Sequence, residues 1–300
     1  MTEISALVIG LGSMGFGVAQ SCLKAGFATR GCDVNPETEA RFAELGGRSG
    51  ADLSEASTLD AVVVVVLNAA QLETVLFGAE GVVPHLRAGA VVIACPTVPP
   101  AVAREMAARC AEQGVHYLDA PISGGAAKAA EGALSVMASG SPEAFAAAGP
   151  VLEAIAAQVF ELGPEAGAGS AMKAVNQLLA GVHIAAMGEA MAFGLTQGVT
   201  PEKFLEVISQ CAGSSWMLEN RAPHVIEDDY TPRSQINIWP KDLGIVLEIA
   251  KDASFSAPIT ATALQQYMVA VGMGLGREDD AAITKVYARN AGLSLPGTDE

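Results

Sequence analysis

Lys173, Asn176 and Gln177 stand in the stretch GAGSAMKAVNQLLAG, residues 167–181, among alanines and leucines. Offsets of three and four residues put all three on one face of a helix. A lysine in apolar surroundings is costly unless it is paired or has a chemical task. The task open to it is general acid–base work. Its ammonium can polarise a carbonyl, and its neutral amine can take a proton from a hydroxyl. Asn176 and Gln177 would then orient one small polar molecule. A solvated surface lysine is the alternative, and the apolar flanks and preceding glycines weigh against it.

A second constellation lies near the start. VIGLGSMG contains Gly10, Gly12 and Gly15 in the spacing G-x-G-x-x-G, with Leu11, Ser13 and Met14 between them. The loop follows a strand-like run and opens a helix, where backbone N–H groups and the helix dipole can hold a pyrophosphate. The next strand ends at Asp33, whose carboxylate can accept from both hydroxyls of an adenosine ribose and would repel a 2′-phosphate. The pattern therefore points to NAD over NADP, although a tight turn without a ligand would use the same glycines. Leu67 and Asn68 after one central strand, and Thr97 after another, are ordinary turn residues or further cofactor contacts. In LDAPISGG, Ser123, Gly124 and Gly125 form a small-residue loop whose successive N–H groups suit a carboxylate.

Four other groups have weaker signals. INIWPKDLG puts Lys241 and Asp242 at a helix start, with Asp242 as its cap and Lys241 structural or reaching the cleft. Arg221 and Arg233 are candidates for a second polar end of a substrate, or surface residues. His183 and His224 read as packed or solvated.

The elements that position these residues are legible in outline. ISALVIG (4–10), FATRGCD (27–33), AVVVVVL (61–67), AVVIAC (90–95), VHYLDA (115–120), ALSVMAS (133–139) and QVFELG (158–163) read as strands separated by helical segments. Continuous valine and isoleucine runs suit strands buried on both faces. The alternation predicts an α/β fold with a parallel, doubly wound sheet. After LGPEAGAGS (162–170) the pattern changes to one long helix, from Ala171 to about Gln197, and then to further helices without a strand. The expected organisation is a nucleotide-binding domain over 1–165 and an all-α domain over 166–300, with PGTDE (296–300) as a frayed tail.

Composition narrows the class. With 51% apolar and 17% charged residues the chain is globular, and its net charge of −16 argues against general affinity for nucleic acid or anionic membrane. AVVVVVL is too short to span a bilayer, and the apolar run 178–195 holds His183 and Glu189. MTEISALVIG, with its acidic residue, does not have the pattern of a secretory leader. The five cysteines form no C-x-x-C pair and no metal-ligand spacing, which suits reduced thiols in a cytoplasmic protein without a metal.

GLGSMG, DAPISGG, GAGSAMKAVNQ and KDLG occur in that order over nearly the whole chain. Together they resemble the β-hydroxyacid dehydrogenases, the family of 3-hydroxyisobutyrate dehydrogenase and tartronate semialdehyde reductase. The resemblance implies a Rossmann-type domain followed by a helical domain, NAD as cofactor and Lys173 as the catalytic lysine. It implies that Ser123, Gly124, Gly125 and Asn176 hold the substrate and that Thr97 and Lys241 lie at the cofactor. It also implies a homodimer or homotetramer built with the long helix. LNAAQLETVLFGAEGV, LLAGVHIAAMGEAMAFG, SSWMLENRAPHVIEDDYTP and GREDDAAITKVY are similar to the subgroup that oxidises L-threonate to 2-oxotetronate. The chain departs from some of that subgroup in having Asn176 where they have histidine. A dehydrogenase for 3-hydroxyisobutyrate or D-glycerate is the alternative within the class. A non-catalytic dinucleotide-binding module is the alternative outside it, but such a module has no use for Lys173, Asn176 and ISGG together.

Overall fold

The computed structural model describes residues 4–297. Residues 1–3, and the last three residues of the expected 296–300 tail, lie outside the described residues. The chain divides into two compact units, Met1–Lys173 and Ala174–Glu300.

The first unit runs β1 (Ser5–Ile9), α1 (Gly15–Lys24), β2 (Ala28–Cys32), α2 (Pro36–Glu44), β3 (Arg48–Ser49), β4 (Ala61–Val64), α3 (Ala69–Phe77), β5 (Val91–Ala94), α4 (Pro100–Glu112) and β6 (His116–Asp119). It continues with β7 (Ile122–Ser123), α5 (Gly125–Ala130), β8 (Leu134–Ala138), α6 (Pro142–Ile155) and β9 (Ala156–Glu161). Six strands form one parallel sheet in the order β3-β2-β1-β4-β5-β6. The valine-rich runs are its centre because both faces are covered. Val8, Val63 and Ile93 enter one apolar core, and their neighbours Leu7, Val62 and Val92 enter the other. The strand order reverses between β1 and β4, so a crevice opens at the carboxyl ends of the strands, where ligands bind in such sheets.

The segments 133–139 and 158–163 are strands, but they leave the parallel sheet. β8 and β9 pair with each other in parallel, and β7 adds to β8 antiparallel, forming a separate three-stranded sheet. Apolar patterning identifies a strand without naming its partner. The two sheets meet at a bridge between Asp119 and Ser139.

Helices α1 and α5 pack closely. A side chain at Gly17 would have no room beside Ala129 and Ala130. The last carbonyls of α5 accept side-chain donors from α1. Ser21 Oγ donates to Ala129 O and Lys24 Nζ to Ala130 O, each at 2.8 Å.

Helix α7 (Ala168–Thr196) contains the unit boundary, eight residues beyond the expected one. Its first turns bond to the first unit, through contacts given below, so the compact unit extends to Lys173. The second unit holds the rest of α7 and α8 (Pro201–Ile208), α9 (Trp216–Ile226), α10 (Ile238–Asp252), α11 (Pro258–Gly272) and α12 (Ile283–Ala291). By length and composition α7 could cross a membrane. In the structure 39% of that apolar window is buried, along one face. Gly181 leaves room for the Trp239 ring, Trp239 stacks on Tyr267 with centroids 5.6 Å apart, and Tyr267 Oη donates to Gly181 O at 2.9 Å.

Candidate active site

The glycine loop joins β1 to α1. Gly10 has φ +93°, and a Cβ there would lie 2.5 Å from Val65 O, so both conformation and space demand glycine. A Cβ on Gly15 would collide with Gly10 O, whereas one on Gly12 would meet nothing within 4 Å. Gly12 therefore keeps open space above the loop, at the start of α1, as close approach of a pyrophosphate requires. Ser13 is exposed and Met14 half-buried, but the Leu11 side chain belongs to the core, which leaves its backbone for ligand contact.

Asp33 follows β2 and ties the loop down. Its Oδ2 accepts from Leu11 N at 2.6 Å, its Oδ1 accepts from Asn35 N at 2.8 Å, and its own N donates to Glu39 Oε1 at 2.9 Å. The carboxylate is thus held beside the loop and remains partly exposed, in the manner needed to meet a ribose. Val34 and Leu67, beyond the ends of β2 and β4, have exposed apolar side chains, Leu67 being 64% exposed. Asn68 has a local duty: its Oδ1 accepts from Gln71 N at 2.9 Å and caps α3. Thr97 is half-buried in the loop between β5 and α4. The open glycine loop, helix start and fixed carboxylate fit a dinucleotide.

Lys173 is 8% exposed, and its Nζ donates to Ile122 O at 2.9 Å. Ile122 and Ser123 form β7, and Gly124 and Gly125 follow with φ +137° and +80°. The fold therefore brings the lysine to the small-residue loop from 51 residues away, inside the unit that carries the glycine loop.

Sequence reasoning missed the group beneath this contact. Asp119, at the end of β6 and 1% exposed, faces the start of α7. Its Oδ2 accepts from Gly167 N and Ser170 N, both at 2.8 Å, and from Ser139 Oγ at 3.2 Å. Its Oδ1 accepts from Ser170 Oγ at 2.7 Å, and Ser139 Oγ accepts from Gly169 N at 2.9 Å. Burial pushes the Asp119 carboxyl above the usual carboxylate range, against the pull of these hydrogen bonds. The available signal was an acid at the end of a buried strand, with a glycine-rich helix start downstream.

In the second unit, Asn176 Nδ2 donates to Gln177 Oε1 at 2.9 Å, and Gln177 Nε2 donates to Asp242 Oδ2 at 2.5 Å. Gln177 is buried and its amide is committed at both ends. Asp242 does not cap α10, which starts four residues earlier at Ile238. It is an interior helix residue whose carboxylate turns toward α7, with Lys241 Nζ 2.7 Å from its Oδ1. Arg221 is buried in the second unit's packing: its guanidinium is held by Asp280 and Asn220, and Asp280 also accepts from Trp239 Nε1 at 3.0 Å. Arg233 pairs with Asp229 at 2.6 Å. His224 Nδ1 lies 2.8 Å from Asp279 Oδ1, while His183 is half-buried on α7.

The chain is similar to known dehydrogenases along nearly its whole length. Residues 5–163 match the family model for the NAD binding domain of 6-phosphogluconate dehydrogenase. Residues 167–287 match that for the NAD-binding region of NADP-dependent 3-hydroxyisobutyrate dehydrogenase. The chain is 51% identical to an L-threonate dehydrogenase of Cupriavidus necator over 98% of each chain. It is 46% identical to one of Escherichia coli, covering 99% of this chain and 98% of the relative. A crystal structure of 3-hydroxyisobutyrate dehydrogenase from Salmonella typhimurium superposes with a TM-score of 0.90 at 44% identity, over 95% of this chain and all of that one.

Proposed function

The chain belongs to the 3-hydroxyisobutyrate dehydrogenase-related family of β-hydroxyacid dehydrogenases and is an NAD-dependent hydroxyacid dehydrogenase; from that premise we propose that it oxidises L-threonate to 2-oxotetronate with Lys173 as general acid–base. The observation that carries the role of Lys173 is the 2.9 Å bond from its Nζ to Ile122 O, beside the Ser123–Gly125 loop. The substrate rests on the L-threonate dehydrogenases that match at 43–51% identity over nearly their full length.

NAD, when bound, supplies the hydride acceptor, with Gly10–Gly15 and Asp33 holding it and Leu67, Asn68 and Thr97 as further contacts. The Ser123–Gly125 backbone receives the substrate carboxylate, and Asn176, one turn beyond Lys173 on the same helix, orients a hydroxyl. In oxidation the neutral Lys173 amine keeps one N–H on Ile122 O. The nitrogen lone pair, turned away from Ile122, accepts the hydroxyl proton as the carbinol carbon becomes a carbonyl. In the reverse direction the ammonium polarises the carbonyl and returns the proton.

The protein acts in this reading as a homo-oligomer in the cytoplasm. Bare apolar side chains on α7, Val175, Leu179 and Phe193, support self-association, and the five free cysteines support a reducing compartment. Light scattering of the purified protein tests the first point.

The function is tested by initial rates of NADH formation with L-threonate, D-erythronate, 3-hydroxyisobutyrate, D-glycerate and L-serine, each with NAD and NADP. NAD-linked turnover dominated by L-threonate is the expected result. A preference for another acid overturns the substrate and leaves the chemistry of Lys173 in place.

A further inference from the structure

The first helical turns of α7 are tethered to the first unit twice, with matched spacing. Asp119 and Ile122 are three residues apart on one side, and Ser170 and Lys173 are three residues apart on the other. Asp119 takes Ser170, and Ile122 takes Lys173. Three residues of helix advance one turn, so the two tethers engage successive turns of the same face.

The upper tether is an unusual choice for stability alone. Helices ordinarily satisfy their first N–H groups with a local Ser, Thr, Asp or Asn at the N-cap. Here Gly167 precedes the helix and has no side chain to offer. The work falls to a carboxylate 48 and 51 residues away, buried at the cost that any desolvated charge carries. The helix start is also locked in place by contact. A Cβ on Gly169 would lie 2.7 Å from Asp119 O, so that turn rests directly on the end of β6. A local cap would satisfy the same N–H groups without fixing where the helix sits. A carboxylate on β6 fixes its depth and rotation against the strand that leads into Ile122 and Ser123.

We propose that Asp119 is the positioning residue for Lys173, setting the depth and rotation at which α7 presents the ammonium to the Ser123–Gly125 loop. The inference rests on the reading of Lys173 as the acid–base group. Asp119 touches neither substrate nor cofactor; it acts through Ser170 and one turn of helix. Asp119→Asn removes the negative charge on which these donors converge and leaves one acceptor oxygen in place of two, which weakens the tether and lets the turn slip. A displacement near 1 Å at a reacting group costs on the order of 100-fold in rate.

The experiment compares Asp119→Asn, Ser170→Ala and Lys173→Ala in the full-length protein. Turnover is expressed per NADH-binding site from fluorescence titration, so unfolded molecules do not count. Asp119→Asn is expected to lower kcat per site about 100-fold, with KM for NAD within twofold. Ser170→Ala, which removes only the hydroxyl donor to Oδ1, is expected to lower kcat about tenfold with the same split. A merely structural role predicts fewer binding sites with unchanged kcat in each, and that result overturns the proposal. If Asp119→Asn yields no folded protein, Ser170→Ala decides: unchanged kcat per site refutes positioning. Lys173→Ala separates the two readings. Full turnover in that variant refutes the acid–base reading itself, whereas its loss beside a normal Asp119→Asn refutes only the positioning role.

Discussion

Gly17→Ala changes one atom far from any reacting group and should slow the enzyme. The added Cβ would sit 2.6 Å from Ala130 N and 2.8 Å from the Ala129 carbonyl carbon and Cβ. Non-bonded carbon contacts settle at roughly 3.5–4.0 Å, so α1 and α5 must part by about 1 Å. Overpacking of that kind costs about 1–3 kcal/mol, or roughly 2–12 °C in Tm for a domain of this size. The displacement has a direction. Ala129 and Ala130 end the six-residue helix that begins at Gly125, so moving that helix carries Gly124 and Gly125 with it. The glycine loop at the start of α1 is not touched by the new methyl. The expected outcome is a folded protein with KM for NAD within twofold and kcat/KM for the hydroxy acid lowered about 100-fold. Steady-state kinetics with each substrate varied in turn, and a thermal melt, measure this. Gly12→Ala is the counterpart. Its Cβ meets no protein atom within 4 Å, so Tm should hold while NAD affinity falls. A Gly17→Ala protein with a lowered Tm but unchanged kcat/KM for the acid would refute the link from helix contact to substrate loop. An unchanged Tm would refute the packing argument itself.

Three other perturbations have expected outcomes. Lys173→Met keeps the apolar stem and removes the amine, so kcat should fall about 10²–10⁴-fold while NADH still binds; turnover within tenfold of the parent contradicts the acid–base role. Asp33→Ser removes the charge facing a ribose phosphate and the acceptor for Leu11 N, so KM for NAD should rise about tenfold and the NADP-to-NAD preference should rise with it; an unchanged preference assigns discrimination elsewhere. The buried Asp279 carboxyl lies below its ordinary range: desolvation raises it, but hydrogen bonds from His224, Arg233 N and Ala281 N lower it further. A depressed carboxylate stabilises the fold above its unfolded pKa and loses that contribution as pH falls through the folded value. The Tm gap between the parent and Asp279→Asn should therefore shrink as pH falls below about 4; a gap that widens below that pH contradicts the assignment.

Much of the architecture was legible because it is written in local patterns. The runs at 61–67 and 90–95 read as central strands, and they hold Ala61–Val64 and Val91–Ala94 at the middle of the sheet. The glycines at 10, 12 and 15 announced a turn into a helix, and the separate constraints on each are local sterics. Spacing alone put Lys173, Asn176 and Gln177 on one helical face. It did not say that the Gln177 amide would be taken by Asp242, 65 residues on, or that Asp242 would leave the helix cap to do so. Arg221 looked available because its partner, Asp280, lies 59 residues away.

The sequence by itself determined the longer strands and helices, though not the two-residue strands Arg48–Ser49 and Ile122–Ser123, and it showed where the chain turns to all-helix and which residue types could carry acid–base and dinucleotide chemistry. Those features depend on backbone periodicity, glycine sterics and side-chain chemistry, which act over a few residues. Only the tertiary structure decided that β8 and β9 pair outside the main sheet, that Ile122 O receives Lys173, and that Asp119 holds the start of the lysine's helix. A buried polar group must find its partner wherever packing brings one, and packing is settled by the whole chain.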